Sequence, residues 1–234
     1  MASEELKGTV PLWPLPLAIA VVMVVAAHVA WRLSVAGGHV PECIPYFEGC
    51  TSISRAARHG LGNHVFRLLM LPCALLQGLH WWTTRRWVRL QGAPPGAGAI
   101  LLPLGIVAAC ALAVYATFLG TEGDIYRFLR RYGVTVYFAC TYLCQLVFLR
   151  QAAHGGLVAP RLARAMVVVA AGMLLLGIGN VAAAALTTDP DLKDRLENVT
   201  EWQLGALLVA WFLLQAWAWR RSGYRLHFSV TGRR

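Results

Sequence analysis

Six apolar stretches, each about as long as a bilayer is thick, constrain this chain more than anything else in it. They run over about 14–35, 64–82, 97–119, 132–149, 165–186 and 202–219. A hydrocarbon core about 30 Å thick takes about 20 helical residues to cross. The runs are continuous and not alternating, so they read as helices and not as barrel strands. The second is the least apolar: it begins near Arg67 and holds Pro72, Gln77 and His80. It can span only if that polar face turns into a bundle. Of the 234 residues, 58% are hydrophobic and 14% charged, against about 25% charged in soluble domains. A soluble domain so poor in charge could not cover its own surface. The expectation is an all-α, polytopic membrane protein, a six-transmembrane-helix bundle forming one integral domain over 1–234. The opening "MASEELKGTVPLWPLPLA" carries two acids and one lysine ahead of a run long enough to span. It reads as a retained first helix and not as a cleavable signal.

Lys and Arg set the expected orientation. Twelve of them, including Lys7, Arg85, Arg220, Arg233 and Arg234, fall on the side that holds both termini. Eight, including Arg55, Arg58, Arg67, Arg127, Arg130 and Arg131, fall on the other, and Arg32 ends the first span. Both termini are therefore expected in the cytoplasm. The net charge of +10 reflects these loops and their attraction to anionic lipid. No aromatic-interleaved basic patch or nucleic-acid motif accompanies it, so no nucleic-acid partner is expected. Most tryptophans, Trp13, Trp31, Trp81, Trp82, Trp87, Trp202, Trp217 and Trp219, sit near expected span ends and read as interface anchors; Trp211 falls mid-span. "RLQGAPPGAGA" and "HGGLVAPRLA" read as short turns. Thr188 before "DPDLKDRL" reads as the cap of a short surface helix with Pro190 in its first turn.

The connector after the first span, "CIPYFEGCTSISRAARHG", is the least aliphatic part of the chain. Cys43 and Cys50 stand on the expected non-cytoplasmic side, where the loop between them can close as a disulfide or remain as two thiols. Ser52 or Thr51 can cap a short helix, "SISRAARHG", ended by Gly60. The N–H groups at its start favour an anion such as a phosphate headgroup, and Arg55 and Arg58 stand three apart on one face. Ser52 and Ser54 can also be read as nucleophiles, with His39, His59 and His64 as the local bases, though no Gly-x-Ser-x-Gly elbow is present. Arg67 and Glu201 stand at the outer mouths of the second and sixth spans. They can pair with each other, or Arg67 can offer its fork to a lipid phosphate. His28 and Asn180 fall inside spans, where interhelical hydrogen bonds can satisfy them. Cys73, Cys110, Cys140 and Cys144 read as packing residues. No metal or other cofactor is expected. "NVT" at Asn198 matches a glycosylation acceptor but lies too near a span for use.

Taken together, "CIPYFEGCTSISRAARHG…HVFRLLMLP" resembles the start of the Frag/DRAM/Sfk family of six-span membrane proteins. That family includes the post-attachment factor that acts in remodelling GPI-anchor lipids. The matching positions are Cys43, Pro45, Tyr46, Ser52, Ser54, Gly60, Phe66 and Arg67. "NVTEW" at Asn198–Trp202 is similar to the Glu-aromatic entry into the family's last span, and "GDIYRFLRRYGVTVYF" is a weaker echo. Many members carry a His in that last connection, where this chain has Asp124 and Tyr126. The resemblance implies a non-enzymatic membrane protein that binds or helps organise lipids, with an ordered outer cap at 43–64 facing headgroups. Arg67, Arg55, Arg58, Ser52 and Ser54 are then the expected headgroup contacts. A membrane phospholipid is the expected partner, with another membrane protein as a further one. Two alternatives stay open: an acyl transferase or hydrolase using the Ser52/Ser54 loop, and an accessory subunit of a larger membrane complex. The composition resembles that of bacterial chains, so the expected location is a bacterial inner membrane.

Overall fold

The computed structural model describes residues 6–93, 96, 98–156 and 158–230. In chain order it comprises strand β1 (Leu6–Pro11), helices α1 (Pro14–Ala36), α2 (Pro45–Glu48), α3 (Ile53–Ala56), α4 (Gly60–Leu90), α5 (Leu101–Phe118), α6 (Asp124–Gly155), α7 (Pro160–Leu186) and α8 (Pro190–Arg221), and strand β2 (Arg225–Val230). Arg233, Arg234 and parts of the two Gly/Pro connections lie outside the described residues.

Five helices, α1, α5, α6, α7 and α8, are long and apolar enough to cross a membrane. Their composition is that of an integral membrane protein. Large apolar side chains such as Val25, Val107, Leu146, Leu175 and Leu213 stand exposed on their outer faces, as expected where lipid replaces water. α4 coincides with the second expected span but extends it at both ends. It packs along α1 and α5. Gly62 lies against the Ala30 backbone, and Gly105 of α5 lies flush on Trp81. A Cβ at either glycine would push the helices apart.

Several expectations need correction. The fold is nearly but not wholly all-α: β1 and β2 pair antiparallel, Leu6 opposite Val230 and Pro11 opposite Arg225. The alternation of Leu226, Phe228 and Val230 with Arg225, His227 and Ser229 suits the tail to a ribbon. Trp81, Trp87, Trp202 and Trp219 are at most 1% exposed, as is Trp211. They fill the core and do not belt the interface; Trp217, half exposed, keeps an outward position with Arg221 over its ring. Thr188 is not the cap of this helix. Asp189 is the N-cap, accepting from the Asp191 N–H at 3.0 Å. From there α8 runs unbroken for 32 residues, about 48 Å at 1.5 Å per residue, long enough for its first turns to project beyond a 30 Å core.

Candidate functional site

The connector 37–59 folds over one end of the bundle and is held there by the first turns of α8. Arg195 Nε donates to Glu48 O at 3.1 Å and Asn198 Nδ2 to Gly49 O at 2.8 Å. Trp202 Nε1 donates to Thr51 O at 2.9 Å and Gln203 Nε2 to Tyr46 O at 3.2 Å. The donors recur at helical spacing, so one face of α8 satisfies carbonyls that docking would otherwise leave unpaired. Asn198 is 3% exposed and spent on the cap, so it is no glycosylation acceptor. Cys43 and Cys50 are joined as a disulfide with Cα atoms 6.5 Å apart. Gly49, at φ +66°, ends α2 with its α-carbon against the Arg195 carbonyl. No other residue reaches both that conformation and that approach cheaply.

Ser52 does cap a helix: its Oγ accepts from the Arg55 N–H at 3.1 Å. That helix is α3, a single turn; it stops at Ala57, and Gly60 opens α4 instead of closing the cap helix. Ser54 donates its N–H to Glu201 Oε1 at 2.8 Å and its hydroxyl to Oε2 at 3.4 Å. Ser52 Oγ lies 3.1 Å from Ser54 Oγ. Glu201 thus engages Ser54 and not Arg67; among the described residues no ion pair joins Arg67 to Glu201. Arg55 forms a two-pronged bond to Asp194, at 2.9 and 2.7 Å, and Arg58 is not part of it. That bond holds its guanidinium pKa above the usual value. No histidine reaches either serine among the described hydrogen bonds; His39 and His59 stack on each other with centroids 5.2 Å apart.

Beneath the cap lies an apolar chamber of about 290 Å³ between α1, α4, α5, α6 and α8. Met23, Phe66, Met70, Leu112, Val134, Tyr137, Phe138 and Val209 form its walls, and Ile53 of the cap reaches into it. Its roof is an aromatic group: Tyr46 hydroxyl lies 3.2 Å from His28 Nε2, and both rings pack on Trp202. His28, an in-span polar residue by sequence, is therefore a tie between α1 and the cap.

A second cavity of about 620 Å³ opens beside the chamber and shares Tyr115, Val134, Phe138 and Glu201 with it. This mouth is charged. Arg58, Arg127, Arg130 and Arg131 line it, with Glu197, Glu201, Ser54 and Asn180. Arg127 pairs with Asp124 at 3.4 Å. Arg130 donates to the Phe118 and Thr121 carbonyls that close the α5–α6 turn. Two buried atoms at this mouth have no partner among the described residues, Arg58 Nε and Asn180 Oδ1.

Of the expected headgroup residues, Ser54 and Arg58 line the mouth, while Ser52, Arg55 and Arg67 do not. Sequence reading missed Arg127, Arg130 and Arg131. The available signal was the "RFLRR" spacing, which sets the three arginines on adjacent turns at the start of α6. Comparison with protein-family models, curated proteins and solved structures finds no match.

Proposed function

We propose that this is a non-enzymatic integral membrane protein that binds an anionic membrane phospholipid. The phosphate sits among Arg58, Arg130 and Arg131, and an acyl chain lies in the apolar chamber. The observation that carries this reading is the shared wall: one polar, cationic mouth opens directly beside one largely apolar cavity. Ligand sites are typically apolar with a few placed polar groups, and guanidinium forks suit phosphate. The lipid-organising role implied by the Frag/DRAM/Sfk resemblance accords with it, with the headgroup contacts moved from Arg67 to α6.

The proposal includes six crossings with both chain ends in the cytoplasm. Two observations support α4 as the sixth. Its outward face carries exposed Leu68, Leu75 and Leu79, while Gln77, His80 and Thr84 are buried. The β1–β2 ribbon ties the start of α1 to the end of α8, which requires an even number of crossings.

The test is lipid retention by purified protein in neutral detergent, with dioleoyl phosphatidylglycerol added as probe. Arg58→Ala with Arg130→Ala lowers its affinity at least about tenfold, about 1.4 kcal/mol or more. Arg67→Ala leaves it unchanged. Equal binding by the double variant refutes the reading.

A second reading, acyl chemistry at Ser54, is favoured by the contact from Ser54 Oγ to Glu201 Oε2 at 3.4 Å. The carboxylate would take the hydroxyl proton as Oγ adds to an ester carbonyl, and would return it to the departing alcohol. Unchanged lipid turnover in Ser54→Ala removes it.

A further inference from the structure

The mouth has a second apolar exit. A groove of about 550 Å³ runs between α6 and α7 and is lined by Ala139, Tyr142, Met173, Gly177 and Val181 among others. It meets the mouth at Phe138 and Leu204, and Phe138 also borders the inner chamber. Phe138 thus partitions two apolar compartments that open on one cationic site. α6 packs closely on α5 but sparsely on α7, and Ile178 and Val181 leave the groove open to the bilayer side. Asn180 stands on α7 between these groove residues, with its Oδ1 buried, unpartnered among the described residues, and at the mouth.

We infer that the ligand is a two-chain phospholipid straddling Phe138, one acyl chain in the inner chamber and the other in the α6–α7 groove, which is its lateral entry from the bilayer. This rests on the proposed lipid-binding reading and specifies its ligand class. A single-chain amphiphile would fill the chamber and leave the groove to bulk lipid. Two chains diverging from one phosphate match one mouth with two apolar exits, and Asn180 Oδ1, an acceptor unpartnered among the described residues, borders that mouth, where a headgroup hydroxyl can donate to it. The second chain, seated against a fixed apolar wall, adds packing contacts that a single chain does not make.

The experiment compares dioleoyl phosphatidylglycerol with its single-chain oleoyl counterpart, by native mass spectrometry of the full-length protein in neutral detergent. Gly177 and Gly179 each have open space where a side chain would project, but only Gly177 lines the groove. Gly177→Trp therefore fills the groove without a backbone clash, and Gly179→Trp is its control. The two-chain lipid binds the wild type at least about tenfold more tightly than the single-chain one. Gly177→Trp abolishes that preference by weakening the two-chain lipid alone, and Gly179→Trp keeps it. Equal wild-type affinity for the two probes overturns the inference while leaving the lipid-binding reading standing. So does a Gly177→Trp that keeps the preference, or that weakens both probes alike. Binding of neither probe refutes the underlying reading itself.

Discussion

Gly49→Ala and Gly38→Ala form a matched pair that isolates cap docking. The two glycines have nearly the same backbone, φ +66° and φ +70°. Either alanine incurs the left-handed cost of about 1–2 kcal/mol. They differ in surroundings: a Cβ at Gly38 meets nothing within 4 Å, whereas one at Gly49 runs into the Arg195 carbonyl and within 2.9 Å of Val199 Cγ2. The cap must lift to relieve that overlap. Lifting stretches the bonds from Asn198 to Gly49 and from Arg195 to Glu48, each worth about 0.5–1.5 kcal/mol net. Gly49→Ala should therefore cost about 1–3 kcal/mol more than Gly38→Ala, or about 5- to 150-fold in cap opening. Hydrogen exchange at the amides of Ser54, Ala56 and Ala57 reads this directly, since their bonds to Glu201, Ser52 and Ile53 form with the docked cap. Equal exchange in the two variants refutes the docking of 45–56 on α8.

Replacing Cys43 and Cys50 together by serine releases a loop with a sequence separation of 7. It should lower cap protection by about 2–3 kcal/mol on a chain-entropy estimate, read by the same exchange experiment with and without reductant. Partial desolvation of the otherwise exposed ring, then His39 and Arg58, hold the His59 pKa below its usual value, so below about pH 6.5 the folded protein binds fewer protons than the unfolded chain. That stability is present above about pH 6.5 and is lost as pH falls, so the thermal midpoint should drop between about pH 7.5 and 5, and drop less in His59→Gln. If α4 crosses the membrane, cysteines placed at Gly38 and Gly92 label from opposite faces of intact membranes; labelling from one face refutes six crossings.

What the sequence made legible follows from which forces act locally. Five apolar runs announce themselves because each residue on the outer face meets lipid, and composition alone records that. Gln77 and His80 make the second run the least apolar, yet these are the residues that α4 turns inward: Tyr137 hydroxyl donates to Gln77 at 3.0 Å, and His80 stacks on Trp219. Ser52 as a cap was legible because capping is a contact between near neighbours. Glu201's partner was not, because Ser54 stands 147 residues away, and charge alone nominates Arg67. The tryptophans misled for the same reason. A position near a span end suits an interface ring and a core ring equally, and only the neighbouring helices decide. The arginines of α6 read as loop-side charge until the α3–α4 connection and α8 bring Arg58 and Glu201 to the same opening.

Four arginines around one opening are an expensive way to build a bundle. Glu197 and Glu201 face them there, with Asp124 beside Arg127, and Glu201 already accepts from Ser54. The excess positive charge repels itself across one opening. A chain shaped for stability alone would dilute it, and a site shaped for an anion would keep it, the usual trade between stability and function. Arg131→Gln separates the two, because its side chain is exposed and no ion pair engages it among the described residues. In neutral detergent the variant should be at least as heat-stable as the wild type, since one repulsive charge is gone. With phosphatidylglycerol added, the wild type should gain more stability than the variant, by about 1 kcal/mol for the missing cation. A variant that is less stable without lipid, yet gains as much as the wild type when lipid is added, would make Arg131 a structural residue and would remove it from the proposed phosphate site.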